Sequence, residues 1–574
     1  MNRITRRLSA IFPILVWGRG YNQLDLRADV VAGSIVLFIT VPQVIAYAFL
    51  AGMPPETGLY AALFALIGYA FFGSSKTLSV GPTAIIAMMT LEIASLHAQQ
   101  VGSDYRQIVV QLSVLTGLIL IAMRLINFGS AVSFVSHAVV TGFISAAAIL
   151  IIGNQVAAIL GLRPSVDTSI VGIIKHIFID LSVINFVVVL IALSALSLLV
   201  ICRTWLGGLL FRIGVSESLT DGLVKSAPMC VVLMGILISQ IFGLDGTVPI
   251  VGEIPRSLPD VSVPWISFDM IKTLGPSAFL IALVVFLESI SIGTALASKS
   301  RDSIDANQEL TGVGFANIAS SMVGSFPVAG SFARSTVNFS SGAVTPVASL
   351  ITAILILLTI FFFAPLFYGL PKGVLAAIIV VSAWQLLDFA AARKIFGFSV
   401  PDAVTFSGTF VAVLAFGVEA GVLTGVLISF VLLIRNSSTP NIALVGRVGD
   451  SEHFRNIERY EVSTSPKVMA IRVDESFYFV NARFIETFVL NQLAARTEVE
   501  HILFICTATN FIDTSGLEML ERLSENLYET GITLHLAEVK GPVMDKLKKT
   551  TFCQNMRGQL FFTANVAMRE LAGI

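Results

Sequence analysis

Charged residues are scarce in this sequence. Asp, Glu, Lys and Arg make up only 13% of its 574 residues, whereas 55% are hydrophobic and the mean hydropathy is +0.86. Soluble domains carry about 25% charged residues, so we expect most of this chain to lie in lipid. The formal net charge of −1 comes from charges spread along the chain, and it gives no indication of a nucleic-acid partner.

Cysteine and histidine are also rare. The four cysteines lie far apart and the six histidines form no HxxxH or HExxH pattern, so no metal or redox motif is present. The sequence also lacks a nucleotide-binding loop and a nucleophile elbow. These absences argue against an enzyme and against an ATP-driven pump, and they predict no cofactor, no metal site and no catalytic residue. We expect no cleavable signal peptide, because the first apolar run has no cleavage site and is followed by further spans.

Long apolar segments fill the chain from residue 29 to about residue 435. Many are about 20 residues long, which is enough to cross a bilayer as a helix, and we predict fourteen spans. After Arg435 charged residues become frequent. We therefore predict an N-terminal leader (1–28), a transmembrane transport domain (29–435), a linker (436–465) and a second domain (466–574).

Basic residues indicate the orientation of the spans. If the N-terminus is cytoplasmic, more of the Lys and Arg residues fall on cytoplasmic connections than on external ones. We therefore expect both the leader and the C-terminal domain in the cytoplasm.

Two of the predicted segments, 82–97 and 329–341, are too short to cross the bilayer as helices. An extended-looking stretch precedes each of them, and non-helical backbone at this depth must be buried in protein or line a cavity. In the predicted topology they enter from opposite sides, at corresponding positions of two inverted halves. Paired broken segments of this kind indicate the binding site of a transporter.

The two breaks carry residues suited to an anion. The backbone amides and hydroxyl around Thr83 and Ala84 would point at the site from the first break, and those of Ser331 and Phe332 from the second. Helix N-termini attract anions, and Arg334 adds a fixed positive charge. The alternatives are a simple helix bend for the first break and, for Arg334, a structural pairing with a carboxylate or with carbonyl groups.

Three further polar residues lie inside predicted spans. Glu288 is the carboxylate deepest within a long span, where it could carry a coupling proton, help to ligate Na⁺, or only neutralise Arg334. Gln43 and Tyr47 are four residues apart, so they share one face of a helix. They could bind a polar substrate or form hydrogen bonds between helices.

Several stretches resemble the sulfate permease (SulP) family of anion transporters, the bacterial relatives of solute carrier family 26. The matching stretches lie in order along nearly the whole membrane region: 41–52, 58–60, 79–82, 306–310 and 327–343. The resemblance implies a seven-plus-seven inverted repeat. A core domain would hold two half-helices with the anion between their N-termini, and it would slide against a gate domain. It also implies a homodimer.

The resemblance also assigns roles to single residues. It implies that the central site is lined by Gln43, Tyr47, Thr83, Ala84, Glu288, Ser331 and Phe332, and that Arg334 is the basic residue of the half-helix. Some relatives carry aspartate at the position of Glu288 and use Na⁺. A glutamate there is similar to the proton-coupled members.

The C-terminal domain resembles a STAS domain. Strands are predicted at Val468–Val473, His501–Cys506 and Thr533–Ala537, with amphipathic helices between them. Residues 511–517 resemble the loop that is phosphorylated in anti-sigma-factor antagonists, which makes Ser515 a candidate regulatory phosphosite. The alternative, which we prefer, is an ordinary helix cap. The domain could bind a cytoplasmic regulatory protein.

Taken together, the sequence predicts secondary active transport of a small inorganic oxyanion across a bacterial inner membrane, in the first place proton-coupled sulfate uptake. Na⁺-coupled bicarbonate transport, C4-dicarboxylate transport, anion exchange and a channel-like conductance are the alternatives. A nucleobase permease would share the membrane fold, but the STAS-like domain and Arg334 argue against it. A membrane-anchored regulatory protein would need neither the paired breaks nor a buried Glu288.

Overall fold

The computed structural model describes residues 12–102, 104–130, 136–162 and 169–572. The chain forms two compact units that divide at Ile428 and Ser429. The first unit is almost entirely helical, and the second is a mixed α/β domain.

The first unit contains nineteen helices in the described residues, the last of which runs into the second unit. In chain order they are α1 (Ile14–Trp17), α2 (Gln23–Leu50), α3 (Pro55–Phe72), α4 (Ala84–Val101), α5 (Tyr105–Leu125), α6 (His137–Ile159), α7 (Ile170–Ile179), α8 (Phe186–Ile201), α9 (Gly207–Arg212), α10 (Glu217–Lys225), α11 (Ala227–Ile241), α12 (Phe268–Ser300), α13 (Ala306–Met322), α14 (Phe332–Ser340), α15 (Val347–Leu358), α16 (Lys372–Trp384), α17 (Phe389–Phe398), α18 (Val400–Phe416) and α19 (Val418–Ser438). A π-helical turn, Cys202–Leu206, joins α8 to α9.

Helix length and composition agree with a polytopic membrane protein. In the described part of the chain, nine helical segments are long and apolar enough to cross a membrane, and four shorter apolar helices accompany them. Each predicted span coincides with a helix, whereas the short helices α1, α7, α9, α10 and α17 correspond to no predicted span. The total of fourteen crossings stays a prediction.

The helices of the first unit pack as two groups. Helices α2–α5 and α12–α15 contact one another and form what we name the core group; α6, α8, α11, α16 and α18 form the gate group. Small residues allow the close approach of helices in the core group. A Cβ added at Gly58 of α3 would collide with the Val44 carbonyl of α2, and one added at Gly117 of α5 would collide with the Gly314 carbonyl of α13. Such small-residue contacts are typical of helix packing in membranes.

The two predicted breaks pair with each other. Strand β1 (Val80–Gly81) and strand β2 (Ala329–Gly330) form a two-residue antiparallel ladder, in which Val80 lies opposite Gly330. The ladder satisfies backbone groups that would otherwise be unpaired at membrane depth. Because these residues and their neighbours are extended, α4 and α14 begin slightly later than the predicted segments 82–97 and 329–341. The ladder brings the N-termini of both helices to one place.

The second unit is a six-stranded sheet with helices on both faces. Its strands are β3 (Ile442–Arg447), β4 (Phe454–Asn456), β5 (Val468–Val473), β6 (His501–Ile505), β7 (Thr533–Ala537) and β8 (Leu560–Phe561), in the spatial order β4-β3-β5-β6-β7-β8. Its helices are α20 (Ala482–Ala494), α21 (Thr514–Glu529), α22 (Gly541–Leu547), α23 (Phe552–Asn555) and α24 (Ala564–Ala572). Strands β5 to β8 run parallel, and β3 is antiparallel to both of its neighbours.

The interval 436–465, which we predict as a linker, is only partly a linker. It contains β3 and β4, and Ile442 of β3 pairs with Val473 of β5. Composition alone places the boundary too late here, because β3 and β4 are short strands set among polar and charged residues. The three predicted central strands are present as β5, β6 and β7.

Candidate functional site

The site is built around two helix N-termini fixed by backbone pairing. Ser331 donates its N–H to the Ser79 carbonyl at 3.0 Å, and Ser79 donates its own N–H to the Ser335 hydroxyl at 2.9 Å. The N-cap residues of α4 and α14 are Thr83 and Ser331, and among the described residues neither side chain caps its helix. The first amides of both helices are therefore left without a side-chain acceptor. This arrangement suits an anion.

Side chains of two core-group helices, α12 and α13, form hydrogen bonds with the backbone of the second break. Gly330 donates its N–H to the hydroxyl of Ser289 on α12 at 2.9 Å. The side chain of Asn317 on α13 both accepts from and donates to the backbone of Val328, each at 2.9 Å. Neither residue is predicted from the sequence, because a polar residue in an apolar helix does not reveal which backbone it pairs with.

A buried carboxylate holds the loop that leads into the first break. Glu309 accepts hydrogen bonds from the Tyr69 hydroxyl at 2.9 Å, from the backbone and hydroxyl of Ser74 at 2.9 and 2.6 Å, and from the backbone of Ser75 at 3.0 Å. It therefore ties α13 to the chain just before β1. Glu309 lies in the stretch 306–310 that carries the family resemblance, but the sequence does not predict its role.

Arg334 lies in the first turn of α14 and is only 1% exposed. Among the described residues, neither its Nη1 nor its Nη2 has a hydrogen-bond partner. A Cβ added at Gly81 would come within 3.1 Å of Nη2, so the guanidinium reaches from α14 to the opposite break. A buried charge without a partner is costly, and an anion between the half-helices would compensate it.

Glu288 on α12 lies beside the first half-helix. Its carboxylate accepts a hydrogen bond from the hydroxyl of Thr83 at 3.4 Å. It is close enough to Arg334 for the two charges to interact, although neither terminal nitrogen of Arg334 hydrogen-bonds to it. A direct structural ion pair, one of the alternatives for these residues, is therefore not what the geometry shows.

Gln43 and Tyr47 are both buried on α2, as their spacing predicts. Gln43 donates from Nε2 to the hydroxyl of Ser382 on α16 at 3.0 Å, and the Tyr47 phenol lies beside the same hydroxyl. Both residues thus meet the gate group. Ala84 is buried at the start of α4, whereas Phe332, at the start of α14, is 45% exposed.

The candidate phosphosite lies in the second unit. Helix α21 begins at Thr514, and its cap is Asp513, whose side chain accepts from the Gly516 N–H at 2.8 Å. The same carboxylate also accepts from the Phe479 N–H at 2.9 Å. The cap interpretation therefore accounts for this loop, with Asp513 as the capping residue. Phosphorylation of Ser515 stays a prediction.

Two protein-family models together match most of the chain. Residues 26–409 match the model described as "Sulfate permease family", and residues 459–567 match the STAS domain. The chain is 31% identical to the "Probable sulfate transporter 4.2" of Arabidopsis thaliana over 97% of its own length and 82% of that protein. It is 30% identical to the "High affinity sulfate transporter 2" of Stylosanthes hamata, covering 95% and 84% of the two chains.

Solved structures share the fold. The structure of SLC26A9 superposes with a TM-score of 0.90 at 22% identity, covering 100% of this chain and 94% of that one. The transmembrane domain of the cyanobacterial bicarbonate transporter BicA gives a TM-score of 0.59 at 22% identity, covering 71% of this chain and 98% of that one.

Proposed function

This chain belongs to the sulfate permease family, and we propose that it takes up sulfate or a similar small oxyanion by proton-coupled secondary active transport. Anion transport follows from the family. The choice of sulfate is supported by the names of the curated relatives, which are sulfate transporters of plants. The bacterial inner membrane is our proposed location, with both termini in the cytoplasm.

The observation that carries the proposal is the meeting of two helix N-termini beside an unpaired arginine. Helix dipoles and free N-terminal amides favour negative charge. Arg334 brings a full positive charge that no hydrogen bond of the described residues neutralises. Together they favour a compact anion over a neutral or cationic substrate.

Proton coupling is supported by the position of Glu288. Its carboxylate bonds to Thr83, the N-cap of α4, and interacts with the charge of Arg334. While Glu288 is ionised, it opposes an anion at the half-helix; once it is protonated, that repulsion is gone. Binding of a proton and binding of an anion are therefore linked, which is what symport requires.

Movement of the core group against the gate group is the proposed transport step. The ladder between β1 and β2 ties both half-helices to the core group, so the site would move with that group. The two groups meet mainly where α2 contacts α11 and α16 and where α4 contacts α6. We also propose that the protein is a homodimer and that its STAS domain binds a cytoplasmic regulatory protein.

Na⁺-coupled bicarbonate transport is the second candidate. Glu288, the Thr83 hydroxyl and neighbouring carbonyls are oxygen ligands of the kind that bind hard cations. The fold that the chain shares with the BicA transmembrane domain is compatible with bicarbonate transport. C4-dicarboxylate transport and anion exchange are tested in the same experiment.

The experiment is uptake into proteoliposomes that contain the full chain. Sulfate, bicarbonate, fumarate and chloride are compared under imposed proton and Na⁺ gradients, and protein-free liposomes serve as the control. We expect saturable sulfate accumulation driven by a proton gradient and indifferent to Na⁺. Accumulation of bicarbonate driven by Na⁺ alone would favour the second candidate, and flux that does not saturate would indicate a channel.

A further inference from the structure

A cavity of about 190 Å³ lies where the core and gate groups meet beside α14. From the core group it is lined by Ala333 and Val337 of α14 and by Ile39 and Gln43 of α2. From the gate side it is lined by Arg203, Lys225 and Ser382 among others. A water molecule occupies about 30 Å³ in the liquid, so the space is large enough for a small hydrated anion.

The charge of the cavity wall favours an anion. The two ionisable side chains in the described lining, Arg203 and Lys225, are both basic, and no carboxylate lines the wall. Lys225 forms an ion pair with Asp221, which does not itself line the cavity. Arg203 is exposed. An anion entering this space therefore meets positive charge and no acidic side chain of the described lining.

Ser382 is one point at which the gate group reaches the residues of the site. Its hydroxyl oxygen accepts from Gln43 Nε2 at 3.0 Å and lies beside the Tyr47 phenol. Gln43 is 3% exposed, and its Oε1 has no partner among the described residues. In the described part of the chain, the Gln43 amide is therefore held by one hydrogen bond, the bond to Ser382.

The bonding capacity of Ser382 leaves room for a ligand. A serine hydroxyl can donate one hydrogen bond and accept two. Many hydroxyls in these helices donate to a carbonyl of their own helix; Thr40 bonds to Val36 at 2.7 Å and Ser194 to Ile191 at 2.8 Å. For Ser382 no such bond exists among the described residues, so its O–H is directed to Tyr47 or to the cavity.

We infer that Ser382 is an anion-contacting residue contributed by the gate group. The inference rests on the proposed function and extends it to a residue outside the half-helices. A bound oxyanion accepts the Ser382 O–H, while Gln43 stays anchored to the Ser382 oxygen. The anion is then held by donors of both groups, the amides of the half-helices on one side and a hydroxyl of α16 on the other. Its contact with α16 is lost when the groups separate.

The test measures equilibrium binding of labelled sulfate to the full-length protein in nanodiscs. Ser382→Ala should weaken binding at least about tenfold, since a hydrogen bond to a charged group is stronger than one between neutral groups. Ser382→Thr keeps the hydroxyl and should stay within about twofold of the wild type. Ser194→Ala is the matched control, because it makes the same change on a gate helix where the hydroxyl is bonded within its own helix; it should leave binding unchanged.

A double-mutant experiment separates direct contact from the positioning of Gln43. If Ser382 touches the anion, Ser382→Ala weakens binding in a Gln43→Ala background as well. If Ser382→Ala does not change the anion affinity of the Gln43→Ala variant, Ser382 acts only through Gln43 and the inference is wrong. The inference is also wrong if Ser382→Ala alone binds the anion as tightly as the wild type.

The anion panel distinguishes this failure from failure of the proposed function. If the wild type prefers bicarbonate or fumarate to sulfate, the proposed substrate is wrong, and the Ser382 variants are measured with the preferred anion instead. A wild type that binds none of the four anions overturns both the proposed function and this inference.

Discussion

Arg334 combines deep burial with two terminal nitrogens that no described residue bonds. Proteins rarely keep such a group for stability, because taking an unpaired charge out of water costs several kcal/mol. Its location in the first turn of α14, facing Gly81 of the other break, gives it a functional explanation. Residue-scale predictions follow from this conflict between stability and binding.

Arg334→Gln should weaken anion binding by about 10- to 100-fold, since it removes a charged contact worth about 1.5–3 kcal/mol. Without anion, its thermal unfolding temperature should not fall, because the variant no longer buries an unpaired charge. Binding of labelled anion and thermal unfolding measure the two effects. Arg393→Gln, a change at an exposed arginine of α17, is the control. Unchanged affinity in folded Arg334→Gln would remove this residue from the site.

Glu288→Gln should abolish proton-driven accumulation and leave anion exchange intact. The amide resembles the protonated carboxyl in shape and charge, so the site would remain ready for an anion but could no longer release a proton. Proteoliposome uptake under a proton gradient and counterflow without a gradient measure the two activities in the same preparation. Full gradient-driven accumulation by the variant would show that Glu288 does not carry the coupling proton.

At the scale of elements, the sequence predicts that the two breaks exist, but it does not predict correctly where the helices after them begin. Gly, Ser and Pro in apolar surroundings mark both breaks, and the spacing of Gln43 and Tyr47 correctly predicts a shared helix face. The helix starts are misplaced because pairing between β1 and β2, a contact between distant segments, decides where extended backbone ends. Ser382 carried no signal, since one serine in an apolar helix resembles many others.

Strand β7 gives an element-scale prediction in the second unit. His535 is buried there, and its Nδ1 accepts from the backbone of Gln559 at 3.0 Å while its Nε2 faces Nδ1 of His501 at 3.2 Å. Burial and then the nearby His501 lower the pKa of His535 from 6.5 to about 4. Protonation would replace the acceptor at Nδ1 with a donor and break the bond to Gln559.

The lowered pKa fixes the sign of the pH dependence. Between pH 6.5 and about 4 the unfolded domain binds more protons than the folded one, so stability is full above pH 6.5 and is lost as the pH falls. Amide hydrogen exchange of β7 should therefore become less protected from pH 7 to pH 5, after correction for intrinsic rates. His535→Gln should reduce this effect, and His453→Gln, at an exposed histidine, should not. An identical pH response in His535→Gln would contradict the assignment.

At the scale of the whole molecule, every residue of the proposed site lies before the division at Ile428, and each unit has a hydrophobic core of its own. A chain that ends after Ser438, the last residue of α19, should therefore bind anion within about twofold of the full-length affinity. Size-exclusion chromatography and thermal unfolding would establish that the truncated protein is folded. Complete loss of binding in folded truncated protein would place part of the site in the STAS domain.

The pairing of β1 with β2 also bears on how the protein is made. Ser79 and Ser335, which are bonded across the ladder, are 256 positions apart in the chain. A ribosome delivers the first break to the membrane long before it has synthesised the second. The backbone groups of Val80 and Gly81 therefore have no β2 partner until the second break is inserted. Unpaired backbone is costly in lipid, and the nascent first half therefore needs water, a neighbouring helix or an insertion factor beside it. The anion site is assembled late in biogenesis, when the second half-helix enters.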